Sequence, residues 1–208
     1  MFKKIYLGLL CVVTFASADS TQWFMELGWK ISTPLKWNYN SFDAAGLNGV
    51  HYDGKGTDDM LYISVGRLFE IENSMMQVAL SGGTTFIVLD SADHNDALFA
   101  KAALLYPAHV FGHTISVGPT IQAYFPYNSY YYDSEDGAFA RKVHYDKHAF
   151  YAFGFDSTWG EDIWRYNIGA EYMFSSKFKG NTYDTTGYAN SELDHNGLYV
   201  HFGVQYHF

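Results

Sequence analysis

Cysteine is almost missing from this chain of 208 residues: the one example, Cys11, lies in an N-terminal leader. Beyond that leader there is no thiol for a disulfide or a thiolate metal site, so stability has to come from strand pairing and packing. Proline is scarce as well, with four residues against 18 Tyr and 17 Phe. Basic residues are in deficit, 13 against 22 acidic, for a formal charge of −9. That balance argues against a nucleic-acid partner, whose phosphates call for a basic face. After the leader no apolar run is long enough for a spanning helix, and the mean hydropathy is only −0.15.

The leader itself is legible. Met1-Phe2-Lys3-Lys4 is a short positive start, Ile5 to Phe15 is an almost unbroken apolar stretch, and Ala16-Ser17-Ala18 supplies the small-x-small pattern of a cleavage site. The expected division is a signal peptide over 1–18, cut after Ala18 with Ala16 as the second small residue, and one domain over 19–208. A membrane anchor is the rival, but eleven apolar residues fall far short of the ~20 that a spanning helix requires. Leu10 stands before Cys11 where a lipoprotein signal wants Gly, Ala or Ser. Removal of Lys3 and Lys4 leaves 11 basic against 22 acidic residues.

What the rest of the chain has in abundance is alternation with a period of two. In the last twelve residues Leu198, Val200, Phe202, Val204, Tyr206 and Phe208 share one strand face; Tyr199, His201, Gly203, Gln205 and His207 share the other. The same pattern predicts strands at 22–32, 60–70, 74–89, 98–111, 113–127, 141–159, 164–176 and 197–208. These are long for a soluble sheet and suit tilted strands that cross a bilayer in about 9–11 residues. Connections alternate between short (71–73, 112 and 160–163) and longer (33–58, 90–97, 128–140 and 177–196). Short periplasmic turns and longer outside loops are the asymmetry of an outer-membrane barrel. With an even strand count, both ends of the barrel fall on the short-turn side. Export signal, aromatic final strand and loop asymmetry together predict an all-β fold: an eight-stranded antiparallel up-and-down transmembrane barrel with short periplasmic turns and long extracellular loops. A soluble β-sandwich would also alternate, but leaves unexplained the Trp and Tyr crowding the ends of the apolar face, where a membrane protein carries its aromatic belts.

If the apolar face meets lipid, the polar face lines the lumen. That places Glu26, Lys30, Lys101, His109, His148, Asp156, Arg165, Glu171, His201, Gln205 and His207 inside. Eight strands enclose a space that side chains just fill, and buried charges need partners. Three acids, Glu26, Asp156 and Glu171, are expected to meet three bases, Lys30, Lys101 and Arg165, as a plug that closes the lumen. The same groups, with the histidines, would serve a proton-sensitive gate or narrow pore.

Catalysis, metal binding and cofactors find no support in the residues. Hydrolysis needs a nucleophile, a base and an orienting acid in mutual reach. His113-Thr-Ile-Ser116 has the wrong spacing, and His144 with Asp146 has no serine beside it. His144 and His148 are about 13 Å apart on a strand and cannot share an ion. The acids Asp90/Asp93/Asp96 and Asp133/Glu135/Asp136 lack the spacing of a calcium loop. The run Tyr127-Asn-Ser-Tyr-Tyr-Tyr-Asp133 offers the aromatic area that binding loops use, so an extracellular partner engaged through the loops is one expectation.

The export signal, strand count, loop alternation and the ending Gly203-Val-Gln-Tyr-His-Phe208 resemble the small eight-stranded outer-membrane proteins of the OmpX, OmpW and OmpA-transmembrane type. The resemblance covers the whole chain after the leader. It implies residence in the outer membrane of a Gram-negative bacterium, contact with outer-membrane lipid and lipopolysaccharide, and a single-copy barrel. It also implies insertion by the barrel assembly machinery, with Tyr206 and Phe208 as the signal read. The expected role is structural, in envelope integrity, or interactive, at the surface. The alternatives are a narrow pore for small solutes or hydrophobic molecules, as in OmpW-type proteins, and a lipid A-modifying enzyme. The polar lumen departs from the OmpW pattern.

Overall fold

Strict alternation along the chain turns eight segments into the staves of a single closed wall. The computed structural model describes residues 22–57, 59–87, 93–110, 113–131, 140–161 and 163–208. The leader over 1–18, with Ala16 and Ala18, lies outside the described residues, as do Asp90, Asp133, Glu135 and Asp136. In chain order the described strands are β1 (Gln22–Ser32), β2 (Leu35–Asp43), β3 (Gly49–Gly56), β4 (Asp59–Glu70), β5 (Gln77–Ile87), β6 (Asp93–Val110) and β7 (His113–Tyr131). There follow β8 (Val143–His144), β9 (Phe150–Glu161), β10 (Trp164–Phe174), β11 (Phe178–Asp184), β12 (Gly187–Asp194) and β13 (Gly197–His207).

Eight of these pair antiparallel around a ring, β1-β4-β5-β6-β7-β9-β10-β13, and β13 returns to β1. Closure leaves no edge, and every backbone group in the wall can find a partner without water. The first and last strands meet over nine residue pairs, from Phe24↔His207 to Ser32↔Tyr199. In β13 burial alternates without a break: Tyr199, His201, Gln205 and His207 are buried inside, while Leu198, Val200, Phe202, Val204 and Tyr206 are exposed outside. Leu27, Val65, Ile121, Phe153, Phe155 and Ile168 continue the apolar outer wall around the ring. A wall that is apolar outside and polar inside is inverted relative to a water-soluble protein and matches a bilayer. At ~3.3 Å per residue and a tilt near 40°, an eleven-residue stave rises about 28 Å, enough to cross the hydrocarbon layer.

Two segments expected as loops are strands. Residues 33–58 fold into the β2–β3 hairpin and 177–196 into the β11–β12 hairpin. The hairpins join through β2 and β12 into a second, four-stranded sheet, β11-β12-β2-β3, beyond the long-loop end of the barrel. The reason is again alternation: Leu35, Tyr39, Ser41 and, on the partner strand, Ala189, Ser191 and Leu193 all turn one way and are buried. The predicted strand at 141–159 is shorter, since β9 begins at Phe150. Ahead of it Val143 and His144 pair with β7, Tyr145 N–H donates to the Ser129 carbonyl and bridges to Gly180 of the outer sheet, and Asp146 N–H donates to the Lys179 carbonyl. The inward parity switches there, from odd at Arg141, Val143 and Tyr145 to even at Phe150 and Ala152, so the ladder is interrupted although β7 itself runs on to Tyr131.

Candidate functional site

Side chains fill the barrel in successive levels. Near mid-barrel, the Lys30 ammonium of β1 lies 2.8 Å from Glu171 Oε1 of β10, and both side chains are almost wholly buried. Lys30 Nζ also donates to Tyr124 Oη at 2.7 Å and Gln122 Oε1 at 3.2 Å. The Tyr124 hydroxyl donates to Glu171 Oε1 at 2.7 Å, and the Gln122 amide donates to the other carboxylate oxygen. Faces of the Tyr62, Tyr124 and Phe99 rings lie 5.3–5.7 Å from the ammonium. Every donor of Lys30 is thereby used, which is what a charge removed from water requires.

A second cluster sits on the short-turn side of the first. Lys101 of β6 bridges Asp156 of β9, and His201 Nε2 of β13 is 3.2 Å from the other Asp156 oxygen. Asn167 Nδ2 donates to Asp156 Oδ2 at 3.3 Å and to Glu26 Oε1 at 3.0 Å, so one amide joins two carboxylates. Glu26 also accepts from the Tyr62 hydroxyl and, at 3.0 Å, from Gln205 Nε2. Gln205 Oε1 in turn is 3.1 Å from His207 Nε2, whose ring stacks on Phe24 at 5.5 Å.

Glycines on the inner face make room for this. A Cβ on Gly28 would lie inside the Tyr62 ring, and one on Gly203 would lie 2.7 Å from both Tyr62 Oη and Glu26 Oε1. A Cβ on Gly169 would lie 2.6 Å from the His201 ring. Bulky polar groups on one strand are thus seated over bare backbone on the next.

Of the expected lumen residues, the structure brings together Glu26, Lys30, Lys101, Asp156, Glu171, His201, Gln205 and His207. It corrects three. His109 keeps the inward parity of β6 but lies past the barrel's closed interior, exposed, with its Nδ1 3.2 Å from Thr114 Oγ1. His148 lies beyond the start of β9, stacked on Phe178 at 4.2 Å and bonded to the Ser176 carbonyl. Arg165 is half-buried at the short-turn mouth, where Nη2 donates to Gln22 Oε1 at 3.4 Å; it bridges none of the three acids. Its register partner Gln205 stands between it and Glu26 and donates to that carboxylate itself, so the expected third ion pair is replaced by three neutral donors to Glu26. Next to Arg165 a vestibule of about 230 Å³ is lined by Met75, Gln77, Pro107, Thr114 and Ser116.

Tyr62, Gln122, Tyr124 and Asn167 complete the network as neutral residues that share the inward parity but carry no charge to mark them in the sequence. Two arginines lie outside that network. Arg67 lies on the outer wall beneath Trp23 and Phe69, 5.2 Å from each ring. Arg141, buried, ties the outside segments together: its guanidinium donates to Ser41 Oγ at 2.7 Å and Thr186 Oγ1 at 2.9 Å, and Nε is 3.3 Å from Asp184 Oδ2.

Above the charged levels the lumen becomes aromatic. Tyr124 stacks on Phe150 at 4.8 Å, Phe150 meets Phe178 edge to face at 5.7 Å, and Tyr39 packs on Tyr131 at 4.5 Å. This core runs without a break into the underside of the four-stranded sheet through Leu35, Tyr39, Ala189 and Leu193. In the sheet's turns, Thr186 donates to Asp184 through both its hydroxyl and its amide, and Gly187 N–H adds a third bond. These bonds hold the Asp184 carboxyl below its ordinary range. Lys177 bridges Glu192; the contact lowers the Glu192 carboxyl and raises the Lys177 ammonium. The candidate catalytic groups are otherwise engaged: Asp146 Oδ1 accepts the Lys179 N–H at 2.6 Å, and the His144 ring packs against Tyr130.

No family model and no curated protein matches this chain. Among solved structures, it is similar to the outer membrane protein OprG from Pseudomonas aeruginosa, at 10% identity and a TM-score of 0.52, over 90% of this chain and 95% of that one. A major outer membrane protein from Thermus thermophilus aligns at 11% identity and a TM-score of 0.49, over 91% and 100%. Neisserial surface protein A aligns at 10% identity and a TM-score of 0.43, over 89% and 97%. At this identity the likeness to OprG is one of fold, and it is the fold built above: a closed eight-stranded outer-membrane barrel. The apolar outer wall and polar interior place such a barrel in the outer membrane.

Proposed function

We propose that this protein is a non-conducting barrel of the outer membrane that serves the envelope structurally and presents its four-stranded sheet to partners outside the cell, without catalysis. The observation that carries the reading is the filled lumen. From His207 to Phe150, buried side chains from most of the staves meet in hydrogen bonds, ion pairs and stacked rings. An eight-stranded barrel has little room beyond its own side chains, and the aromatic levels continue into a folded cap. The outer wall contacts lipid and the lipopolysaccharide leaflet, Tyr206 and Phe208 serve recognition by the barrel assembly machinery, and the barrel acts as a single copy. The test is recording in planar bilayers with purified, refolded protein. The expected result is no steady single-channel conductance; a reproducible conductance that changes with Lys30→Met would overturn the plug in favour of a narrow pore.

A further inference from the structure

The outer sheet has two faces, and the second has no use in the barrel. On β2 the odd residues Tyr39 and Ser41 are buried toward the lumen, so Asn40 and Phe42 point to the opposite side. Register carries this face across the sheet. Phe42 is opposite Tyr188, and Tyr188 is opposite Tyr183; one step along, Asn40 is opposite both Asn190 and His51, and Asn190 is opposite Asn181. An aromatic row therefore runs beside an amide row.

Both rows are ordered by their own contacts. Phe42 and Tyr188 stack at 5.0 Å and 21°, Tyr188 and Tyr183 at 5.8 Å and 26°. Phe42 lies over Gly49, where a Cβ would be 2.6 Å from its ring. Tyr183, on the edge strand, is 78% exposed, a large aromatic surface left in water. In the amide row Asn40 Nδ2 donates to Asn190 Oδ1 at 2.8 Å, His51 Nδ1 meets Asn40 Oδ1, and His51 Nε2 is 3.0 Å from Asp53 Oδ2. The Asn190 amide, engaged through its oxygen, keeps NH₂ donors for a ligand, and Asn181 is exposed beside it.

We propose that this face binds an uncharged oligosaccharide chain. A pyranose has an apolar C–H face and a rim of hydroxyls, and each half has its counterpart here. The negative face of an aromatic ring receives the polarised C–H groups, and neighbouring amides offer donor and acceptor together to vicinal hydroxyls. The two rows lie about 6.6 Å apart along the strands and cross four strands over about 14 Å, room for two or three sugar rings side by side with both rows. The amide and aromatic rows carry no ammonium or guanidinium, and in the next row Lys179 is already 3.5 Å from Glu192. A polyanionic chain would find no cation in either row, and the Lys36–Lys55 pair on the same face stands four residues, about 13 Å, from the amide row, so the neutral class is the one that fits.

This inference rests on the reading that the sheet faces outward, and the experiment separates the two. Tyr183→Cys, the one thiol once the leader is removed, should be labelled on intact cells by a membrane-impermeant maleimide; absence of labelling would sink the outward placement itself. Binding is then measured by saturation-transfer NMR and calorimetry in a detergent without a sugar headgroup. The probes are maltohexaose, the tetramer of N-acetylglucosamine, polysaccharide released by mild acid from the producing cells' own lipopolysaccharide, and heparin. At least one neutral chain should bind, with affinity reduced at least tenfold by Tyr183→Ala and several-fold by Asn190→Ala, and retained by Tyr183→Trp. Binding of the released polysaccharide points to the cell's own surface, and binding of the two free oligosaccharides alone points to a foreign glycan. Unchanged heat-modifiable mobility shows that each variant folds. The proposal fails if no neutral chain binds, if only heparin binds, or if the folded Ala variants bind as the parent does.

Discussion

Lys30 and Glu171, 141 residues apart in sequence, meet at 2.8 Å inside the barrel with hardly any exposure to solvent. Each is the other's only charge partner within bonding distance among the described residues. Removing one leaves an uncompensated buried charge, whereas removing both leaves an apolar gap.

The pair therefore predicts non-additivity. Lys30→Met and Glu171→Met should each cost about 3–5 kcal/mol, while the double variant should recover much of the loss. Urea titration of the folded band in unheated gel electrophoresis would check this; equal, additive losses would mean that the pair does not act as a unit.

Gly28 and Tyr62 make a second coupled pair. Gly28→Ala puts a methyl into the Tyr62 ring, and overpacking of this kind costs typically ~1–3 kcal/mol. Tyr62→Ala in the same chain should relieve the clash and restore part of the folded yield. Failure of Tyr62→Ala to help at all would show that the constraint comes from backbone pairing and not from the ring.

Arg141 should govern the outer sheet without governing the barrel. Arg141→Ala removes the bonds to Ser41, Thr186 and Asp184 together. Limited proteolysis should then cut within 43–49 and 184–187 several times faster, while the barrel fragment stays protected. Cleavage rates equal to the parent's would remove Arg141 from that role.

Acid should loosen the same sheet at its β11–β12 turn. The Asp184 carboxyl is held low by Thr186 and Gly187, so its contribution is present above the unfolded carboxyl value near ~3.9 and is lost as pH falls through the lower folded value. The Thr186 and Gly187 amide resonances in micelles should stay constant between about pH 5 and 8 and titrate together below ~pH 4. Asp184→Asn should abolish the step.

Glu26 predicts a smaller effect than Glu171, because its partners are the neutral Tyr62, Asn167 and Gln205. Glu26→Gln keeps the size and loses one acceptor, at a cost of about 1–2 kcal/mol. The same gel titration compares it directly with Glu171→Met.

How much of this was legible beforehand follows from what a strand encodes locally. Side chains alternate strictly along a strand, so the parity that exposes Leu198, Val200 and Phe202 also turns His201 and Gln205 inward, and no neighbour is needed to read it. Closed-barrel architecture, lipid-facing wall and polar lumen all follow from that parity repeated eight times. Within each uninterrupted stave the amino-acid sequence by itself determined which face each residue takes, and among the described residues only the bulge between Pro126 and Asn128 and the break ahead of Phe150 reset the parity. Which inward residues meet was decided only by the tertiary structure. Register and tilt bring β1 to β10 through β13 and set the level of every side chain. They gave Lys30 to Glu171, Lys101 to Asp156 and three neutral donors to Glu26, and left Arg165 at the mouth. The same holds beyond the membrane. Residues 33–58 and 177–196 carry alternation too polar and too short to stand as strands alone. They become a sheet because β2 and β12 lie next to each other when the barrel closes. Pairing across 150 residues, as between Asn40 and Asn190, is a property of the closed ring and not of either segment.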